Sequence, residues 1–261
     1  MSFIELRHVS KRFGRLVVLD NLSLSIEAGR CIVVIGASGT GKSVLLKHIV
    51  GLLRPDKGEV WYDGRRIDNL PERALMDVRT DFGFLFQMGA LFDSMNVDEN
   101  VAFPVVQHSN KSADEVLEIA RQKLALVGLR ETGKKMPAEL SGGQKKRVAL
   151  ARAIALDPKV ILYDEPTTGL DPIRSDVINE LILKLQRELK VTSIVVTHDM
   201  NSALKVGDRI VMLHQGKIVF DGTPDEIKTT EDPVVRRFVQ GEASEEELAS
   251  LRAPSAEQRT T

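Results

Sequence analysis

Gly36-Ala37-Ser38-Gly39-Thr40-Gly41-Lys42-Ser43 fits the pattern G-x-x-x-x-G-K-[ST] and stands between the apolar run Cys31-Ile32-Val33-Val34-Ile35 and the helix-forming run Val44-Leu45-Leu46-Lys47-His48-Ile49-Val50. A strand, a loop and a helix in that order are the context a phosphate-binding loop requires. Each residue type has a physical task there. The glycines let backbone N–H groups turn inward around phosphate oxygens with no side chain in the way, and the helix adds its positive dipole end beneath them. The spacing places Lys42 to reach β- and γ-phosphates and the Ser43 hydroxyl to coordinate Mg²⁺.

Working outward, the 261-residue chain is 28% charged and 43% apolar, the balance of a globular protein, and its length fits one nucleotide-binding domain with an inserted subdomain. A formal charge of −1 gives no bulk attraction to nucleic acid or acidic lipid. The local basic run Lys145-Lys146-Arg147 reads as a solvated helix face. The single cysteine, Cys31, lies in the apolar run, so no disulfide forms within the chain, and a buried small hydrophobe is the expected role. No run approaches the ~18 apolar residues of a bilayer span, so any membrane role is expected to come through a partner.

Phe3 to Val9 and Leu22 to Ile26 alternate apolar and polar residues, as strands of a half-exposed antiparallel layer do, and Gly58 to Gly64 closes that layer with an Asp63-Gly64 turn. Between the first two strands sits Phe13, whose ring fits packing or stacking on a base. Phe82 to Phe86 is a short strand ending at Gln87, where open α/β sheets place ligand-facing residues. From Asn96 to about Met136 the pattern turns helical, with Ser112 and Glu115 as a capping box and Leu117, Ala120, Leu124 and Val127 on one face.

Leu140-Ser141-Gly142-Gly143-Gln144 opens a second helix and offers another helix N-terminus suited to an anion. Val160 to Asp164 is a strand delivering Asp164 and Glu165 at its C-terminal end. Paired acids there are costly unless they face a cation or do chemistry. Asp164 is placed to hold Mg²⁺ and Glu165 to orient or deprotonate an attacking water. A helix follows Asp171-Pro172 with an apolar stripe of Val177, Ile178, Leu181, Ile182, Leu185 and Leu189, and the next strand, Ser193 to Thr197, ends in His198. Arg209 to Leu213 and Lys217 to Asp221 form a hairpin, and a short helix after Pro233 ends near Gly241. The tail, 242–261, is acidic and then Ser/Ala/Pro-rich, with a capped helix expected at Ser244 to Leu251 and disorder beyond.

This order of motifs, from Phe3 to about Gly241, resembles the ATP-binding cassette (ABC) family. The resemblance implies an α/β P-loop NTPase with a RecA-like core, an antiparallel N-terminal β layer and a helical subdomain inserted at about 96–157, the cassette occupying 1–241. It implies ATP and Mg²⁺ as cofactors, Phe13 on adenine, and Gly36, Ala37, Ser38, Gly39, Thr40, Gly41, Lys42 and Ser43 around the phosphates. Gln87 is implied to sense both Mg²⁺ and the membrane partner, Glu165 to be the catalytic base, Asp171 the inter-subunit loop and His198 the γ-phosphate switch. Ser141, Gly142, Gly143 and Gln144 are implied to complete the ATP site of a second copy, giving a head-to-tail, ATP-dependent homodimer. Phe13 departs from the common Tyr at its position, keeping the ring and losing the hydroxyl.

Within the family, Phe86 to Val97 with Glu99 to Pro104 is similar to the ATPase subunits of bacterial Mla/Mce-type phospholipid (toluene-tolerance) transporters. That implies integral membrane permease subunits as partners, docked after Gln87, and a place on the cytoplasmic face of the bacterial inner membrane. It leaves room for a small regulatory subunit and a lipid-binding substrate protein, and implies no nucleic acid. The rival expectations are transport of another cargo, such as an amino acid or a lipoprotein, and a soluble ABC ATPase outside transport. A P-loop kinase leaves Leu140 to Gln144 without an account.

Overall fold

The computed structural model describes residues 2–243. The N-terminal strands β1 (Ile4–Phe13) and β2 (Leu16–Ile26) form a long antiparallel hairpin, longer than the alternation alone predicts. They build a four-stranded sheet in the order β2-β1-β4-β5 with β4 (Lys57–Tyr62) and β5 (Arg65–Arg66), which turn on Asp63-Gly64, both at positive φ.

The second sheet carries the chemistry. It contains β3 (Cys31–Ile35), β6 (Phe82–Leu85), β7 (Val160–Asp164), β8 (Thr192–Thr197), β9 (Arg209–His214) and β10 (Lys217–Gly222), in the order β10-β9-β3-β8-β7-β6. The five strands β9 to β6 run parallel, and β10 closes one edge antiparallel. Strands β3, β7 and β8 are buried along their whole length, as parallel strands covered on both faces must be.

Alternation along β3 divides two cores. Cys31, Val33 and Ile35 face one cluster, and Ile32 and Val34 the other. Each such buried aliphatic side chain stabilises the fold by roughly 1.5–3 kcal/mol. Cys31 is fully buried, as expected, and burial pushes its thiol well above the usual range.

The Ile32/Val34 side is covered by α1 (Lys42–Ile49) and the antiparallel sheet, with α2 (Glu72–Arg79), an element the sequence reading left out, adding Leu75 and Val78. The other side receives α3 (Val97–His108), α4 (Ala113–Leu126), α5 (Gly142–Ala153), α6 (Pro172–Leu189) and α7 (Met200–Val206), with α8 (Pro224–Lys228) and α9 (Pro233–Gln240) beyond β10. Helices α3, α4 and α5 pack on one another, and α5 sits so close to β6 that a Cβ on Gly83 would lie 2.4 Å from the Ala153 carbonyl oxygen.

Two details differ from the sequence expectation. On α4 it is Val116, with Ala120 and Leu124, that is buried, while Leu117 is only half-buried. On α6 the stripe is buried through Ile178, Leu181, Ile182 and Leu185, but Val177 is 47% exposed. The expected helix at Ser244 to Leu251 lies outside the described residues. No helix among the described residues is long and apolar enough to cross a membrane.

Candidate functional site

Four parallel strands end at one edge, and the residues that follow them converge there. The loop after β3 lies low against the sheet because Gly36, at φ 152°, has no side chain: a Cβ would lie 2.4 Å from the Leu213 carbonyl oxygen of β9. Gly41, at φ 101°, caps α1 without any side-chain hydrogen bond, so the first amides of that helix need partners from outside it.

Lys42 folds back along the loop. Its Nζ donates to Gly36 O at 2.8 Å and Ala37 O at 3.0 Å and lies 3.6 Å from Glu165 Oε1. Thr40 Oγ1 also donates to Ala37 O, at 2.9 Å. Burial lowers the Lys42 pKa, while Glu165 and Asp164 act in the opposite direction.

Strand β7 delivers the two acids. Ser43 Oγ donates to Asp164 Oδ1 at 2.8 Å. Burial raises the pKa of that carboxyl, and the Ser43 bond opposes the rise. Glu165 is a non-glycine residue at φ 50°, a backbone state costing on the order of 1 kcal/mol or more. Its amide is held by Val196 O at 2.9 Å. Its Oε2 accepts from Thr168 Oγ1 at 3.2 Å and lies 2.9 Å from Nδ1 of His198, just past β8.

Phe13, at the tip of the β1–β2 hairpin, and exposed Gln87, two residues past β6, complete a cleft of about 340 Å³ with Ser38, Gly39, Gly41, Lys42, Ser43, Glu165 and His198. A cleft of about 400 Å³ bordered by Glu27, Arg30, Asp208 and Arg209 has no comparable convergence of glycine loop, lysine and paired acids.

The structure does not bring the other expected residues to this cleft. Ser141 and Gly142 are exposed at the start of α5. There, Ser141 Oγ accepts from Gln144 N at 3.3 Å and Gln144 Oε1 accepts from Ser141 N at 2.9 Å. Asp171 caps α6, accepting from Arg174 N at 2.9 Å. Gly143 lies beside Arg174 and Gly142 beside Leu170, so these groups form a second, separate patch.

The donor set fits a nucleotide with a divalent ion. Among the described residues no cluster of three or more His, Cys, Asp or Glu side chains could hold a metal, but Mg²⁺ commonly takes one or two protein oxygens and completes its shell with phosphate and water. Ser43 Oγ and Asp164 Oδ1 are two such oxygens beside a glycine cradle.

Sequence reasoning missed Lys146. It is 6% exposed, not part of a solvated face, and its Nζ donates to the carbonyls of Gln87 and, at 3.2 Å, Glu165. Burial lowers its pKa, with Glu165 and Asp164 opposing. The signal was present in the helical period, since Lys146 shares a face with buried Ala149, Leu150 and Ile154. Thr168 was missed as well, because nothing local distinguishes it from Thr167. Asn100 was another omission. It is fully buried and pins the loop before α3 through bonds of 2.8–3.0 Å with the backbone of Phe92 and Met95.

Comparison with known proteins bears on this geometry. The sequence profile of the ABC transporter family matches residues 19–168. The intermembrane phospholipid transport system ATP-binding protein MlaF of Haemophilus influenzae is 42% identical over 242 residues, covering 93% of this chain and 92% of that protein. MlaF of Escherichia coli is 42% identical over 240 residues, covering 92% and 89%. A probable ribonucleotide transport ATP-binding protein, mkl, of Mycobacterium tuberculosis is 44% identical over 238 residues, 91% of this chain, which spans 66% of that relative's length. Among solved structures, a dimeric post-hydrolysis state of the ATP-binding cassette MJ0796 bound to ADP and Pi superposes with a TM-score of 0.78 at 35% identity, covering 85% of this chain and 98% of that one. The cbiO1 subunit of the cbiONQ transporter of Clostridium perfringens gives 0.81 at 28% identity, covering 96% and 98%.

Proposed function

The chain belongs to the ABC transporter family, and from that premise we propose that it is the ATP-hydrolysing subunit of a bacterial transporter that moves phospholipid between membranes. The observation that carries the catalytic part is the meeting of Lys42, Ser43, Glu165 and His198 in one cleft with the glycine loop, with Asp164 bonded to Ser43 beneath it. Mg²⁺, when bound, supplies Lewis acidity at the terminal phosphates. Ser43 and Asp164 would hold it, and Lys42, now on the loop carbonyls, would turn to the phosphate oxygens and match the charge that develops in phosphoryl transfer. Glu165 orients a water and accepts its proton, with His198 and Thr168 fixing the direction of its carboxylate. Phe13 offers a ring at the mouth for the base, and Gln87 reports on the site from the loop after β6.

The site is completed in trans. Ser141 to Gln144 and Asp171 lie outside the cleft of their own chain, so a second copy in head-to-tail arrangement supplies them. The dimeric cassette among the structural neighbours supports this reading. Membrane permease subunits dock on the loop after β6, where Met88 is 87% exposed and Phe86 and Phe92 are 38% and 40% exposed. The assembly therefore sits on the cytoplasmic face of the inner membrane, with a small regulatory subunit and a lipid-binding substrate protein as further members.

The lipid assignment rests on the MlaF relatives, which match nearly end to end. Purification of the chain with its membrane partners and reconstitution in proteoliposomes tests it. ATP-dependent transfer of a fluorescent phospholipid is the expected result. Transfer of a ribonucleotide instead assigns the cargo named for the mycobacterial relatives, and absence of Mg·ATP hydrolysis with all partners present refutes the ATPase itself.

A further inference from the structure

Helix α5 begins at Ser141–Gln144 and sends two cations to the loop after β6. Lys146 Nζ donates to Gln87 O. One turn and a half further on, Arg152 donates to Ala90 O at 2.7 Å and Gly89 O at 2.9 Å, with its guanidinium 5.6 Å from the Phe92 ring centroid. Between these anchors lies the exposed Met88. Lys146 Nζ also donates to the backbone carbonyl of Glu165, at 3.2 Å.

A lysine ammonium this deeply buried is unfavourable unless its donors are satisfied, and an apolar side chain of the same length would fill the space without that penalty. What the apolar residue cannot do is tie two carbonyls together. Here the two belong to the partner-facing loop and to the residue held at positive φ, whose side chain points at Lys42 and His198. The backbone of Glu165 thus depends on a contact from the helix that carries Ser141 to Gln144.

We propose that Lys146 is a positioning residue that links the Gln87 loop, the start of α5 and Glu165 into one unit, so that a partner pressing on the loop, or a second copy engaging Ser141 to Gln144, changes the aim of the Glu165 carboxylate. The inference rests on the ATPase reading for its catalytic consequence, but the link itself is a property of the chain alone.

Two measurements on the full chain test it. In the nucleotide-free protein, Lys146→Met speeds amide hydrogen exchange about tenfold or more at 86–92 and 165–168, with other segments at parental rates. In hydrolysis assays with the membrane partners, Lys146→Met lowers kcat roughly 10- to 100-fold with KM within about twofold, as expected for a misaimed group outside the ground-state contacts. Lys146→Arg, which keeps the charge and donors, restores at least about half of kcat and the slow exchange. Arg152→Gln loosens 86–92 while leaving exchange at 165–168 unchanged. Uniformly faster exchange in Lys146→Met, or parental kcat with parental exchange, overturns the proposal by reducing Lys146 to an ordinary buried lysine. If Lys146→Met does not fold, Lys146→Leu, which likewise lacks donors, is read by the same criteria. A parental protein that hydrolyses no ATP sinks the ATPase reading, while the exchange pattern still decides the link.

Discussion

Two helix starts in this chain look alike in sequence and differ in structure. At α1, Gly41 is in the left-handed region and no side chain caps the helix. At α5, Ser141 is extended and a reciprocal Ser141–Gln144 box satisfies the first turn. The α1 start is surrounded by groups from β7 and β8, with Lys42 buried and Ser43 bonded to Asp164. The α5 start is exposed at Ser141 and Gly142, with Leu170 beside Gly142 and Arg174 beside Gly143. An uncapped helix start in a charged cleft is prepared for a ligand at once. A self-capped, exposed one holds its shape until a partner arrives. On the proposed reading, the first is the greater part of an ATP site and the second the remainder of another.

The largest effect that could break this contrast comes from Lys42→Ala. Removing the buried cation is expected to lower ATP turnover roughly a thousandfold or more, measured as phosphate release by the purified complex. Turnover near the parental rate would return the glycine loop to an ordinary turn. Next comes Glu165→Gln, which keeps the shape and loses the charge. Hydrolysis should fall roughly a hundredfold or more while ATP binding remains, and light scattering should report a dimer that persists with ATP. Loss of binding as well would move Glu165 into metal coordination.

A smaller effect bears on the contrast most directly. Lys42→Ala damages only the α1 start and Gly143→Asp only the α5 start, so each homodimer is inactive. In an equal mixture half the dimers are mixed, each with one intact site of two, and about a quarter of parental activity should return. No recovery, given exchange of subunits confirmed by crosslinking, would place both helix starts in one chain's site.

The smallest effect concerns how α1 is seated. His48 is fully buried, its Nδ1 is 2.7 Å from Val44 O, and Lys11, Arg54 and Asp56 surround it. Burial lowers its pKa. The unfolded chain therefore takes up the proton first as pH falls through about 6.5, and stability present above that pH is lost below it, by at most about 1.4 kcal/mol per pH unit for one proton. Urea titrations between pH 7.5 and 5, taken as rough limits for one histidine, should show this slope in the parent and a flatter one in His48→Leu.

Much of the molecule was legible because its information is local. The glycine at φ 152° after β3, the period-two strands of the N-terminal layer, the Asp63-Gly64 turn and the capping boxes at Ser112 and Ser141 all follow from a few neighbouring residues. The exposed Val177 and the buried Val116 were not legible, because a helix wheel gives the apolar face and not which edge of it the neighbouring element covers.

By itself the sequence determined the glycine-rich loop that carries Lys42, the acids closing β7 and the α/β alternation that forces a parallel sheet. Only the tertiary structure decided that Phe13, Gln87, Glu165 and His198 share one cleft while Ser141 to Gln144 do not. It alone made Lys146 a buried bridge. The carbonyls that compensate that charge come from residues 59 and 19 positions away, and the burial of an ionised group is set by whichever distant dipoles the fold assembles around it, which no local pattern encodes.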